Sequence, residues 1–339
     1  MKIVADIDIP FIQSYFGDNH DLILKPGRTL THSDVLTADI LIVRAVTKVN
    51  QALLDNTPVK WVGSAATGTD HLDIPWLEKA GIHWMAASGC NTVSVAHYVM
   101  AVVAGLQQRG YLNGKSRAGI IGVGRIGREV ARLLQLIGCD IVLCDPIRAL
   151  HEKDFASHTL DNLQECDFIT LHTPLHTTGD YPTYHFIEKH FLSRQRKGCV
   201  LLNTSRGSVI DFSDLKRYGK HLLWCLDVWE NEPHIDESIL QDALLATPHI
   251  AGYSMNAKQR ATNMIYQAAI SQKIILPTKK TPPLFLTPSI KIDEVGDWRD
   301  QVLSLYNPFA TSEKLKASPH SFDALRKTLE TREECLFSN

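Results

Sequence analysis

Residues 119–127 read GIIGVGRIG, and the fold turns on how they are read. Gly122, Gly124 and Gly127 satisfy the pattern G-x-G-x-x-G. An apolar run precedes them and the amphipathic stretch RIGREVARLLQLIG follows, so the glycines fall at a strand-to-helix turn. Each has its own physical task. Gly122 allows the tight turn, Gly124 lets a pyrophosphate approach the backbone, and Gly127 brings the helix close to the sheet. The phosphates would sit on the N–H groups of the first helical turn, those of Arg125 and Ile126 included. A second strand, DIVLC, is followed by Asp145, 23 residues beyond Gly122. A carboxylate there accepts hydrogen bonds from an adenosine ribose and repels a 2′-phosphate, which favours NAD over NADP. Arg148, close by, is the feature that would instead suit the phosphorylated cofactor.

The same alternation extends outward in both directions. Downstream, AGIIGV, DIVLCD, DFITLHT, CVLLNTS, LLWCLDV and LLATPHI read as buried strands. Upstream, so do MKIVA, DLILK, ADILIVR, VKWVGSA and GIHWMAA, with QALLDN and LDIPWLEKA as helices between them. Strands alternating with helices at this spacing predict parallel sheets covered on both faces. The expected fold is α/β: two doubly wound, Rossmann-like domains with a cleft between them and a small C-terminal module. NTVSVAHYVMAVVAGLQQR, 91–109, predicts a long helix, apolar nearly all round and therefore buried between domains. A second long helix is expected over 256–275. The expected division is 1–90 with 255–276 as a flavodoxin-like substrate domain and 91–254 as the dinucleotide-binding domain. Residues 277–339 would form a proline-rich linker and a short module carrying the helical stretch SFDALRKTLETREECL.

Length and composition bound the function class. A chain of 339 residues is long enough for two or three domains. Net charge is −2 with both signs interspersed, which argues against nucleic acid as a partner. No run approaches about 20 consecutive apolar residues, so no membrane span is expected. The start MKIVADIDIP lacks the apolar core of a signal peptide, because Asp6 and Asp8 interrupt it. The seven cysteines lie mostly in apolar strand or helix patterns and read as buried free thiols in a reducing cytoplasm. None has zinc-ligand spacing, and no metal is expected.

Ligands of open α/β sheets bind at the carboxyl ends of the strands. Beyond VLLNTS comes Arg206, beyond LLWCL come Asp227 and Glu232, and beyond LLAT comes His249. Their chemistry is complementary. Arg206 can hold a carboxylate by paired hydrogen bonds. His249 can take the proton of a 2-hydroxyl and return it in the reverse direction. Glu232 can fix the imidazole tautomer and favour its charged form. Taken singly, each has an ordinary structural reading: an ion pair, a helix cap, a packed core histidine. His71 and His97 are read as structural.

At this point the sequence resembles a known family. GVGRIGREVARLLQLIGCDIVLCDP, LHTPL, VLLNTSRGSVID, LDVWENEP and TPHIAG look like the ordered motifs of the NAD-dependent D-2-hydroxyacid dehydrogenases, over about 40–275. The resemblance implies an oxidoreductase in which Arg206, Glu232 and His249 are catalytic. It implies Asp145 as the ribose ligand and Thr173, Asp227 and Gly252 as further cofactor contacts.

Within the family the chain is most similar to a subgroup acting on a phosphorylated four-carbon hydroxy acid in pyridoxal phosphate synthesis. The stretches ILIVRAVTKVN, WVGSAATGTDHLD, ASGCNTVSVAHYV and PHIAGYS carry that resemblance. It implies substrate contacts at Ala45, Ala66 and Tyr253 and a homodimer built through the C-terminal region. Ala45 and Ala66 stand where the subgroup usually has a serine and a threonine. Ser64, Thr67 or Thr47 is then expected to substitute, with Arg44 as a phosphate partner. The C-terminal module stops short of the subgroup's last elements. The alternatives left open are a dehydrogenase for another D-2-hydroxy acid, such as glycerate or phosphoglycerate, and a non-catalytic NADH sensor.

Overall fold

The computed structural model describes residues 1–18, 20–277, 282–292, 297–329 and 332–338. The middle of the expected linker, 278–281, lies outside them. The chain divides into two compact units: 1–91 with 255–286, and 92–254 with 287–339.

The first unit holds a five-stranded parallel sheet: β1 (Lys2–Asp6), β2 (Asp21–Lys25), β3 (Ile40–Val43), β4 (Trp61–Ser64) and β5 (His83–Ala86), in the order β2-β1-β3-β4-β5. The central strand ILIV is buried at every position, as a strand covered on both faces must be. Its alternate residues serve different cores. Ile40 and Ile42 pack with Ile3, Trp61 and the helix Met255–Ser271, through Ala261, Ile265 and Tyr266. Leu41 and Val43 pack on the opposite face with Val4, Val62, Leu53 and Leu77.

The second unit is built on β6 (Arg117–Ile121), β7 (Asp140–Cys144), β8 (Phe168–Leu171), β9 (Val200–Asn203), β10 (Leu223–Leu226) and β11 (Leu245–Ala246). All are parallel, in the order β11-β10-β9-β8-β6-β7. The helix Thr92–Gln108 is buried continuously from Ser94 to Leu106, so its apolar circumference is matched by its surroundings. It packs on one face of the sheet beside the helix Arg125–Leu136.

The C-terminal residues differ from the sequence expectation. The expected helix over SFDALRKTLETREECL is short, Phe322–Thr328, and Leu336–Ser338 is instead a strand, β13. β13 pairs in parallel with β12 (Ser289–Lys291). Two further helices, Trp298–Leu305 and Pro308–Ala317, were not legible in the sequence. All of this joins the second unit's core: Ile290, Trp298, Val302, Phe309 and Phe337 pack with Tyr98, Val102 and Leu106. The helix Thr92–Gln108 has room for this at Gly105, where an added Cβ would run into the Phe309 ring.

Among the described residues no helix is long and apolar enough to cross a membrane, and no cluster of His, Cys, Asp and Glu could hold a metal ion. All seven cysteines are free thiols, and all but the half-buried Cys139 are buried. Burial pushes Cys139, Cys144 and Cys166 up to about 11.

Since Phe309 fills the notch at Gly105, Phe309→Ala should destabilise the second unit by about 3–5 kcal/mol. A urea melt of the whole chain with an unchanged midpoint would show that the C-terminal helices lie outside this core.

Candidate active site

In the second unit's sheet, β7 lies on one side of β6 and β8 on the other, so the strand order reverses between β6 and β8. Ligands of open α/β sheets bind beyond the carboxyl ends at such a reversal, and the glycine turn sits there. Gly122 has φ 85°, in the left-handed region. A Cβ on it would stand 2.8 Å from the His172 carbonyl carbon and 2.9 Å from Thr173 Cγ2. A Cβ on Gly127 would overlap the Gly122 carbonyl, so this glycine sets how closely the helix approaches the turn. A Cβ on Gly124 would meet nothing within 4 Å, which leaves that side of the turn open. The helix Arg125–Leu136 starts immediately after Gly124 with no side-chain cap, and Arg125 is exposed while Ile126 is half-buried.

Asp145 ties this turn to the next strand. Its Oδ2 accepts from the Val123 amide at 2.8 Å and its Oδ1 from the Arg148 amide at 2.9 Å. Arg148 donates through Nε to Glu152 at 2.8 Å and through Nη1 to the Val123 carbonyl at 3.3 Å, with its guanidinium 4.0 Å over Phe155. These contacts hold it in place, which weakens the case for it as a 2′-phosphate ligand. Thr173 Oγ1 is buried and has no hydrogen-bond partner within the described residues. A polar atom left unsatisfied beside an open glycine turn suits a ligand with hydrogen-bonding groups of its own. On these observations the residues present fit a dinucleotide.

Arg206, Glu232 and His249 follow three adjacent strands, β9, β10 and β11. Asn203, at the end of β9, shapes the first loop. Its amide donates to the Arg206 carbonyl at 2.9 Å, and its Oδ1 accepts from the Ser205 amide and hydroxyl. Arg206 is half-buried and donates to the Ser205 carbonyl at 2.8 Å. In the second loop, Asn231 adopts φ 58°, a conformation asparagine tolerates, and the chain turns back on itself. Glu232 Oε1 then accepts from the Trp229 amide at 2.8 Å, while Oε2 accepts from His249 Nδ1 at 2.7 Å. Burial alone would raise the Glu232 carboxyl. The His249 charge and these hydrogen bonds outweigh it and hold the group below its usual range.

The third loop depends on Asp227. The resemblance implies a cofactor contact for this residue, but the side chain is fully buried. Its Oδ1 accepts from Thr247 Oγ1 at 2.6 Å and the Ile250 amide at 2.8 Å, and its Oδ2 accepts from the Ala251 amide at 2.9 Å. Burial raises its pKa, against the opposing pull of His249 and these donors. Both oxygens are therefore committed to holding residues 247–251. His249 itself sits at φ 54° and donates its amide to the Asp227 carbonyl at 2.7 Å. Gly252 and Tyr253 follow, both half-buried. The Arg326 guanidinium lies 5.2 Å over the Tyr253 ring.

The candidate substrate residues of the first unit differ in how far they are already engaged. Arg44 is bound by Asp6, which is fully buried, at 2.7 Å, and by Asp8 at 2.5 Å. Two of its donors therefore serve carboxylates. Ser64 and Thr47, expected as possible substitutes, are buried. Ser64 bonds His71 Nε2 at 2.8 Å and Thr47 donates to the Gly27 carbonyl at 2.8 Å. Thr67 is half-buried and donates to Asn91 Oδ1 at 2.8 Å. Ala45 is exposed and Ala66 half-buried.

Sequence reasoning missed Gly207. A Cβ there would overlap the backbone of Trp229 and Glu230, so the loop carrying Arg206 rests directly on the loop carrying Glu232. The only available signal was a glycine directly after the arginine.

Residues 98–251 match the family of the D-isomer specific 2-hydroxyacid dehydrogenase NAD-binding domain. Erythronate-4-phosphate dehydrogenase of Coxiella burnetii is 43% identical over 342 residues, covering 98% of this chain and 93% of that protein. The enzyme of the same name from Marinobacter nauticus is 40% identical over 358 residues, covering 99% and 93%. The NAD-bound 3-phosphoglycerate dehydrogenase of Entamoeba histolytica superposes with a TM-score of 0.69 at 22% identity, covering 84% of this chain and 99% of that one. At that identity the likeness is one of fold.

Glu232 has a lowered folded pKa, so its contribution to stability is present above its ordinary value of 4.5 and is lost as pH falls below it. Wild type should therefore melt above Glu232→Gln at neutral pH, and the gap should close on acidification below pH 4.5. A gap independent of pH would mean that the carboxylate charge is not what stabilises this loop. Gly207→Ala should push the two loops apart and lower kcat by about a hundredfold, in steady-state assays of a protein that still binds NADH.

Proposed function

Because the chain belongs to the D-2-hydroxyacid dehydrogenases, we propose that it oxidises 4-phospho-D-erythronate at C2 to 3-hydroxy-2-oxo-4-phosphobutanoate in pyridoxal phosphate synthesis. The cofactor is NAD, which when bound supplies the acceptor for the C2 hydride. The observation that carries the chemistry is the hydrogen bond between His249 Nδ1 and Glu232 Oε2. It commits Nδ1 as the donor, so Nε2 presents the lone pair that accepts the C2 hydroxyl proton. Glu232 is anchored at both oxygens and favours the imidazolium that results. Arg206 would hold the substrate carboxylate by two parallel hydrogen bonds. Gly122, Gly124, Arg125, Ile126, Gly127, Asp145, Thr173 and Gly252 are the proposed cofactor residues. Asp227 acts on the cofactor side only through the loop it holds.

Substrate choice rests on the near full-length similarity to erythronate-4-phosphate dehydrogenases. Arg44, Thr67 and Tyr253 are the proposed substrate contacts, and the backbone at Ala45 and Ala66 completes that set. Two missing hydroxyls and an arginine already serving two carboxylates favour a second reading, a non-phosphorylated D-2-hydroxy acid. One lost hydrogen bond to a charged group costs about 1.5–3 kcal/mol, or roughly one to two decades in affinity. A homodimer belongs to the same proposal and rests on similarity alone.

The test is NADH formation at fixed NAD with 4-phospho-D-erythronate, D-glycerate and 3-phosphoglycerate. The phosphorylated four-carbon acid should give the highest kcat/KM. Preference for an acid without phosphate would select the second reading. His249→Gln should lose turnover by about 10²–10⁴-fold while NADH fluorescence titration stays unchanged.

A further inference from the structure

Residues 249–254 are held from the sheet side by Asp227, and a second set of contacts reaches them from the C-terminal segment. Arg332 is buried at 5% exposure. Its Nε donates to the Tyr253 carbonyl at 3.0 Å and its Nη2 to the Ala251 carbonyl at 2.7 Å. The same Nη2 reaches Ser94 Oγ at 2.5 Å, and that hydroxyl donates to the Ala251 carbonyl at 3.1 Å. Two residues on, Glu334 is fully buried and its Oε2 accepts from Ser254 Oγ at 2.8 Å. The Arg332 guanidinium also lies 4.9 Å over the Tyr306 ring.

A buried guanidinium is costly unless its N–H groups are satisfied, and apolar side chains of similar size would often serve stability as well or better. Nη1 has no hydrogen-bond partner among the described residues, while Nε and Nη2 serve the Tyr253 and Ala251 carbonyls and, on the long helix, Ser94. No apolar residue could serve the two loop carbonyls. Those carbonyls lie two and four residues beyond His249. Fixing them fixes the orientation of the peptides that connect His249 to Tyr253.

We propose that Arg332 and Glu334 are positioning residues for the acid–base pair: they clamp Ala251, Tyr253 and Ser254 and so set the aim of His249 and Tyr253. Neither needs to touch substrate or cofactor. The inference rests on the assignment of His249 and Glu232 made above. It makes the C-terminal segment a part of the catalytic apparatus that the dinucleotide motifs do not announce.

The test uses the full chain with Arg332→Met, Arg332→Lys, Arg332→Ala and Ser254→Ala. Amide hydrogen exchange should quicken at Ile250, Ala251 and Tyr253 by about tenfold in Arg332→Met, less in Arg332→Lys. With 4-phospho-D-erythronate, kcat should fall by roughly 10–100-fold in Arg332→Met, while NADH affinity is retained. Arg332→Ala should recover part of its kcat on addition of guanidinium chloride at non-denaturing concentration. A folded Arg332→Met with wild-type loop exchange and wild-type kcat overturns the proposal. Should that variant not fold, Ser254→Ala and Arg332→Lys decide it: wild-type exchange in both overturns it. If wild type itself does not turn over 4-phospho-D-erythronate, the substrate assignment falls, and the exchange measurement still decides the positioning role.

Discussion

A carboxylate with no exposed surface organises the loop that carries His249. Asp227 satisfies the Thr247 hydroxyl and the Ile250 and Ala251 amides at once. The Thr247 hydroxyl is met in turn by Tyr98 at 2.6 Å, so the network runs back into the long buried helix. An unpaired acid in such a place would be costly, and a fully bonded one is rigid. That rigidity has a specific use. His249 occupies the left-handed region, which a residue with a Cβ avoids by roughly 1–2 kcal/mol. Such a conformation persists only where the surroundings over-determine it. The hydrogen bond that the His249 N–H donates to the Asp227 carbonyl, and those that the next two amides donate to its carboxylate, do so.

Much of this could be read in the chain before any coordinates, for identifiable reasons. Fully buried strands such as ILIV and FITL are continuous or nearly continuous apolar runs, and parallel sheets leave that imprint. The turn at Gly122–Gly127 is local, so its glycines reveal themselves by spacing alone. Glu232 and His249 lie 17 residues apart on neighbouring loops, and the order of strand ends together with the family motifs suggested that they meet. What escaped is what depends on distant partners. Arg332 and Glu334 lie in a charged stretch that reads as the solvated face of a helix. Their acceptors and donors are 79 to 238 positions away, and most of them are backbone groups, which carry no residue signature. The helices at 298–305 and 308–317 are short and follow a proline-rich stretch that reads as linker. Their buried residues Trp298, Val302 and Phe309 find their partners on the distant helix Thr92–Gln108.

The first unit shows the converse limit. Arg44 was expected as a phosphate partner from the subgroup resemblance that ILIVRAVTKVN helps to carry. Asp6 and Asp8, in the opening strand and just beyond it, claim two of its donors. The pair Asp6–Arg44 joins β1 to the end of β3, so the arginine has a structural occupation whatever else it does. Position along a strand identifies which side chains can reach a rim. It does not say which are already engaged there.

The cysteines carry a practical consequence. Thiols whose ionisation is driven several orders of magnitude from neutrality present almost no nucleophilic sulfur to solvent. An alkylating fluorophore offered to the native chain near pH 7 should thus find little to attack at Cys139, Cys144 or Cys166. A single cysteine introduced on an exposed loop would stand out chemically against that quiet background. Spectroscopic distance measurements between the two units could then begin without first removing those three native sulfurs.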